Sequence, residues 1–183
     1  IAVPQYSVQT GKLKLVTVGR MVYQKGYDIA VEVANNLRNS GLDFLWYFVG
    51  DGVAREQVTS LIREKNLSDH IILCGEQANP YPYMAAADIY VQTSRFEGVG
   101  ITISEAKILH KPIVSTNFPV VFNQLTDRKN GIVAEMNADD IAQKIMQLVA
   151  NQDLRSSIVC ELRKEKNVTA REQSQKVNQL IVN

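Results

Sequence analysis

The sequence predicts an α/β fold, doubly wound about a mainly parallel sheet, on two observations. Short segments that are almost wholly apolar alternate with longer segments carrying apolar side chains at helical spacing. Strands apolar along their whole length belong to a sheet covered on both faces, whereas a sheet with one wet face alternates apolar and polar residues. The second observation is size. A chain of 183 residues, 45% of them hydrophobic, can form one substantial core but not two large domains.

The elements follow in order. Leu13–Gly19 (LKLVTVG) is a β-branched run closed by glycine, and Gly26–Leu37 sets Ile29, Val33 and Leu37 four apart, the helix period. Asp43–Gly50 (DFLWYFVG) is a second strand, followed by the turn Asp51-Gly52 and a polar helix over Val53–Lys65. His70–Gly75 is a third strand, Tyr83–Ala87 a helical turn and Asp88–Thr93 a fourth strand. Thr102–Leu109 reads as a helix, Pro112–Thr116 and Gly131–Ala134 as strands, and Asp139–Ala150 as an amphipathic helix with Ile141, Ile145 and Leu148 on one face. Asp153–Lys166 and Ala170–Val182 close the chain as charged surface helices. Residues 1–11 (IAVPQYSVQTG) are polar, hold a Pro and a Gly, and read as the remnant of a linker from a longer protein.

Composition excludes several classes of function. Twenty Lys and Arg against nineteen Asp and Glu give a net charge of +1, too little field for nucleic acid or an anionic membrane. No apolar run reaches the roughly 18 residues of a spanning helix. Cys74 and Cys160 are too few for a disulfide framework or a cysteine zinc site, and His70 and His110 add too little for a histidine one. The expectation is a soluble cytoplasmic domain with no metal.

In doubly wound sheets ligands sit outside the carboxyl ends of the strands. The residues there are Gly19-Arg20, Gly50-Asp51-Gly52, Gly75-Glu76, Ser94–Gly100 and Thr116-Asn117. Gly19 lets backbone approach a ligand closely, while Arg20 and Lys25 offer a planar fork and a point charge to phosphate oxygens. In isolation the two cations read equally well as solvated loop residues. The second candidate is Ser94–Glu105 (SRFEGVGITISE), where Gly98-Val99-Gly100 opens a helix whose free amides favour an anion. The pattern is neither the dinucleotide fingerprint, whose third glycine falls on Ile103, nor a P-loop. Thr102-Ile103-Ser104-Glu105 fits a capping box, which gives Glu105 a structural role; Glu97 has no such explanation. His70 and His110 read as surface or helix-end residues and Cys74 as a small core residue. No G-x-S-x-G elbow is present, and Arg163-Lys164-Glu165-Lys166 reads as a solvated helical face.

Together these segments resemble glycosyltransferase family 4, a retaining family built from two facing Rossmann-like domains, the GT-B architecture. The resemblance runs from about Lys12 to about Ala150 through VTVGRMVYQKG, WYFVGDG, IILCGE, AAADIYVQTSRFEGVGITISEAKILHKPIVSTN and NGIVAEMNADDIAQKI. Its most specific piece is the pair Glu97 and Glu105, with seven residues between them. It covers only the carboxyl-terminal, nucleotide-sugar-binding domain, here residues 12–183, and implies an amino-terminal acceptor domain that is missing.

By this resemblance Gly19, Arg20 and Lys25 would hold the diphosphate of a UDP-, GDP- or ADP-sugar and neutralise the leaving group without a metal or other cofactor. Gly98, Val99, Gly100, Ile101 and Thr102 would supply the turn and its amides. Glu97 would contact hydroxyls of the transferred sugar, Glu105 the ribose, and Leu73 and Cys74 would border the base. Configuration would be retained, the departing phosphate assisting the acceptor hydroxyl on the same face. A glycosidase acid–nucleophile pair is rejected, because Glu105 has a binding role.

The resemblance further implies a hexosyltransferase of polysaccharide or glycoconjugate biosynthesis, inactive as this domain alone. The parent enzyme would be cytoplasmic, with possible peripheral contact to the cytoplasmic face of the membrane. Asn117–Phe122 departs from the glycine-rich turn many members carry. The alternatives are a non-catalytic nucleotide-sugar-binding or accessory module of the same fold, and a flavodoxin-like phosphoacceptor centred on Asp51.

Overall fold

A computed structural model of the chain describes residues 11–165. All but the last residue of the linker expected over residues 1–11, and the helix expected over Ala170–Val182, lie outside the described residues. Six strands, β1 (Leu13–Val18), β2 (Phe44–Val49), β3 (Ile71–Gly75), β4 (Ile89–Gln92), β5 (Ile113–Thr116) and β6 (Ile132–Ala134), form one sheet in the order β3-β2-β1-β4-β5-β6. Every neighbouring pair is parallel, β1 on β2 from Leu13↔Phe44 to Val18↔Val49 and β1 on β4 at Leu15↔Ile89. The fold is a Rossmann-like α/β fold, and its strand order reverses between β1 and β4.

Parallel neighbours need crossovers, and these cover both faces. Helices α1 (Tyr27–Asn39), α2 (Arg55–Glu64), α5 (Ala138–Ala150) and a last helix over 152–165, α6, contribute to one buried cluster with Leu15, Phe44, Trp46 and Phe48. Helices α3 (Tyr81–Ala86) and α4 (Ile101–Ile108), with a 3-10 turn at Pro119–Asn123, contribute to the other, with Val16, Val18, Leu45, Tyr47 and Val49. Alternate residues of β1 and β2 therefore serve opposite cores, which is why β2 is apolar throughout and β1 is so at all but Lys14 and Thr17. One polar exception is explained by its bonds. Buried Thr17 donates to the Val91 carbonyl at 2.7 Å and accepts from the Trp46 indole at 3.0 Å, so no polar group is left unpaired where water is excluded.

Candidate functional site

The segments after β1 and β4 flank the strand-order reversal and are clasped together. After β1 the chain runs through Gly19 and Arg20 into a 3-10 turn, Tyr23–Lys25, and enters α1 at Gly26. Gly26 has φ 64°, and a Cβ there would stand 2.1 Å from the Thr93 carbonyl oxygen, so only glycine lets the two segments touch. Thr93 donates to the Lys25 carbonyl at 3.1 Å, and Arg95 N donates to the Gln24 carbonyl at 2.8 Å. The Arg95 guanidinium forms a two-pronged pair with Asp28 at 2.8 and 2.6 Å and lies 4.1 Å over the Tyr23 ring. That contact holds the Asp28 carboxyl below the ordinary carboxylate range.

Inside the clasp three donors converge on Glu97 Oε1: Lys25 Nζ, Gln92 Nε2 and Ser94 Oγ, each at 2.6 Å. The Glu97 side chain is only 6% exposed and that of Lys25 17%. Glu97 is therefore a nearly buried, charge-paired carboxylate and not a solvated loop residue. Lys25 is correspondingly committed to Glu97 through one of its three N–H donors, not free in the loop. Gln92, at the end of β4 and 2% exposed, was not singled out by its sequence context. A lone glutamine in a short strand carries no local signal of the partners it meets.

The glycine turn then opens α4. Gly100 has φ 68° and is the N-cap, with no side chain capping it. The expected capping box does not form: the left-handed glycine starts the helix at Ile101, so Thr102 is already helical and its hydroxyl turns to Gln92 at 3.3 Å. Glu105 is half-buried and accepts from the Tyr81 hydroxyl at 3.0 Å, which raises the Tyr81 phenol pKa. Val99 and Ile101 are exposed, and the Ile101 and Thr102 amides have no intrahelical acceptor, whereas Ile103 N donates to the Gly100 carbonyl at 3.0 Å. The carbonyls of Val99 and Gly100 accept from Gln124 Nε2, which ties the turn to the 3-10 segment after β5.

Beside this lies a cleft of about 400 Å³ at the carboxyl ends of β1–β3. Gly19 and Arg20 line it, with Asp51, Glu76, Gln77 and Pro80. Tyr81, next in chain after Pro80, brings Glu105 to the same edge. Arg20 is exposed and has no ion-pair partner among the described residues. Asp51 is taken by Arg55 at 3.0 Å and by the Gly52 amide at 2.7 Å. Cys74 packs against the second core cluster and is not among the residues lining the cleft; Glu76 and Gln77 occupy that end of β3 instead. A larger concavity, about 1040 Å³, opens at the opposite pole near Lys12, Asp43, Asp88 and Lys111. It holds none of these groups, and opposed charges line it, so the site is assigned to the carboxyl edge.

Residues 3–165 match the family described as glycosyl transferases group 1. The chain is 31% identical over 141 residues to the poly(ribitol-phosphate) alpha-N-acetylglucosaminyltransferase of Staphylococcus aureus, covering 75% of this chain and 28% of that protein. It is 29% identical to the lipopolysaccharide core biosynthesis glycosyltransferase LpsE of Rhizobium meliloti, covering 79% of this chain and 42% of that one. Among solved structures, S. aureus TarM in complex with fondaparinux, alpha-GlcNAc-glycerol and UDP superposes with a TM-score of 0.78 at 28% identity, over 84% of this chain and 31% of that one. The C-terminal domain of LpcC, a group 1 family protein from Francisella tularensis, does so with a TM-score of 0.73 at 25% identity, over 83% of each chain. The chain therefore spans less than half the length of the first three of these relatives, and most of the length of the C-terminal domain of LpcC. Among the described residues no helix is long and apolar enough to cross a membrane.

Proposed function

The chain belongs to the glycosyl transferases group 1 family, and from that premise we propose that it is the donor-binding domain of a retaining hexosyltransferase. The donor is a nucleoside-diphosphate sugar, and the products are polysaccharides or glycoconjugates. One observation carries the reading: Lys25 and Glu97 are paired and nearly buried where the strand order reverses, beside the cleft that holds Arg20.

The chemistry follows from charge. Breaking the sugar–phosphate bond leaves a nucleoside diphosphate whose new charge must be met by donors already in place. Arg20 supplies an uncommitted fork at the cleft wall, Lys25 its remaining N–H donors, and Gly98–Thr102 the amides of the turn and of the start of α4. Glu97, held through Oε1, offers Oε2 to hydroxyls of the transferred sugar. Glu105 offers the ribose diol a carboxylate that Tyr81 already orients. The departing phosphate takes the proton of the acceptor hydroxyl on the same face, so configuration is retained. The acceptor site belongs to a second domain, without which this domain binds donor but does not turn it over. The parent enzyme works in the cytoplasm, in peripheral contact with the membrane.

Calorimetric titration with UDP, GDP, ADP and their sugar conjugates tests the assignment. Arg20→Ala, Lys25→Ala and Glu105→Ala each weaken binding, on the order of tenfold for a lost charge-assisted hydrogen bond. Three variants that all bind like the wild type overturn the site, and leave an accessory module of the same fold as the reading. Because the diphosphate is held by cations and amides, dialysis against EDTA leaves the affinity within about twofold; a larger loss places a metal in the site.

A further inference from the structure

Gln92 is a buried polar residue whose side-chain amide is fully used. Its Oε1 accepts from the Tyr90 hydroxyl and, at 3.3 Å, from the Thr102 hydroxyl. Its Nε2 donates to Ser94 Oγ at 2.7 Å and to Glu97 Oε1 at 2.6 Å. A glutamine amide offers two donors and two acceptor positions, and here all four are engaged. Tyr90 is itself fully buried, and burial pushes its phenol far above the ordinary range, so it stays a neutral donor. Thr116 Oγ1 closes the network from β5 by donating to the Ser94 carbonyl at 2.6 Å.

Such a network has two consequences. A fully satisfied polar cluster away from water permits few other arrangements, because each alternative leaves a polar group unpaired. And all three donors to Glu97 meet the same oxygen, so the rotation of its carboxylate is fixed and Oε2 takes no bond from Lys25, Gln92 or Ser94.

We propose that Gln92 is the positioning residue of this site: it fixes the Glu97 carboxylate so that Oε2 faces the hydroxyls of the bound sugar. Gln92 touches no ligand and acts through Glu97. The inference rests on the donor-binding reading for its functional meaning, while the coupling of Gln92 to Glu97 stands without it. It predicts selectivity in the damage: contacts to the diphosphate come from Arg20, Lys25 and the α4 amides, so loss of Gln92 falls on the sugar.

Two variants separate this from a purely structural role. Gln92→Leu keeps the bulk and removes all four bonds; Gln92→Glu keeps the acceptor for Tyr90 and Thr102 and sets a carboxylate against Glu97. Both are titrated with UDP, GDP and ADP and with UDP-GlcNAc, UDP-glucose, GDP-mannose and ADP-glucose. For the base the wild type binds, each variant loses about tenfold more affinity for the sugar conjugate than for the bare diphosphate. Equal losses for both ligands, or no loss, overturn the proposal.

A second measurement uses the protein without ligand. Thermal unfolding of Gln92→Leu, Glu97→Ala and the double variant gives a Tm deficit smaller than the sum of the single deficits by a few degrees. Additive deficits overturn the proposal even where binding is changed. Wild-type protein that binds none of the nucleotides, together with non-additive deficits, overturns the donor reading and leaves the Gln92–Glu97 coupling standing.

Discussion

Lys25 and Glu97 are a nearly buried pair in which each member neutralises the other. Removing one partner leaves a nearly buried charge, so Lys25→Met costs on the order of 3 kcal/mol in urea unfolding. The double variant Lys25→Met/Glu97→Gln recovers much of it, since no ionised group is then stranded. Arg20 behaves oppositely: exposed and without an ion-pair partner among the described residues, it changes stability by less than about 0.5 kcal/mol on replacement by Ala. On the proposed function its whole effect falls on nucleotide binding. Gly26→Ala places a Cβ 2.1 Å from the Thr93 carbonyl oxygen at a left-handed φ, and costs at least about 2 kcal/mol in the same assay. As charged candidates near the strand-end glycines, Arg20, Lys25 and Glu97 were legible in the sequence, and Glu105 was legible through its spacing from Glu97. The Lys25–Glu97 contact itself, across 72 positions, was not, because only the parallel pairing of β1 with β4 brings them together.

At the scale of elements, the ends of helices carry the testable differences. Asn137 caps α5 by accepting from the Asp140 amide at 2.9 Å, so Asn137→Ala costs about 1 kcal/mol and Asn137→Asp little, read as shifts in thermal midpoint. The start of α4 is set by a left-handed glycine instead, and the Thr-x-x-Glu pattern there is a capping signature that the backbone does not use. Sequence pattern cannot distinguish the two, because the same residues suit a cap and a ligand-binding first turn. The clasp of α1 to the β4 loop is pH-sensitive through Asp28. Its carboxyl is held low by Arg95, so the contribution is complete above the unfolded value near 4 and is lost as pH falls below it. Acid unfolding of Arg95→Ala, compared with wild type, lacks that component; superimposable acid transitions contradict the pairing.

For the whole molecule, the alternation of almost wholly apolar strands with helices was enough to expect a doubly wound parallel sheet, because β1 and β2 must each serve two cores at once. The ends of elements moved by one or two residues, and the 3-10 turns at Tyr23–Lys25 and Pro119–Asn123 carry no periodicity to read. The strand order is what converts separate motifs into a site, since its reversal between β1 and β4 sets the two charged loops face to face. The central claim is that this edge binds a nucleoside diphosphate, and thermal unfolding in the presence of UDP, GDP or ADP tests it most directly. At ten times its dissociation constant the correct nucleotide stabilises the domain by about 1.4 kcal/mol, raising the midpoint by about 3–6 °C, and Arg20→Ala at the same concentration abolishes most of the rise. A folded protein whose midpoint does not move with any of the three, at millimolar concentrations, contradicts the account.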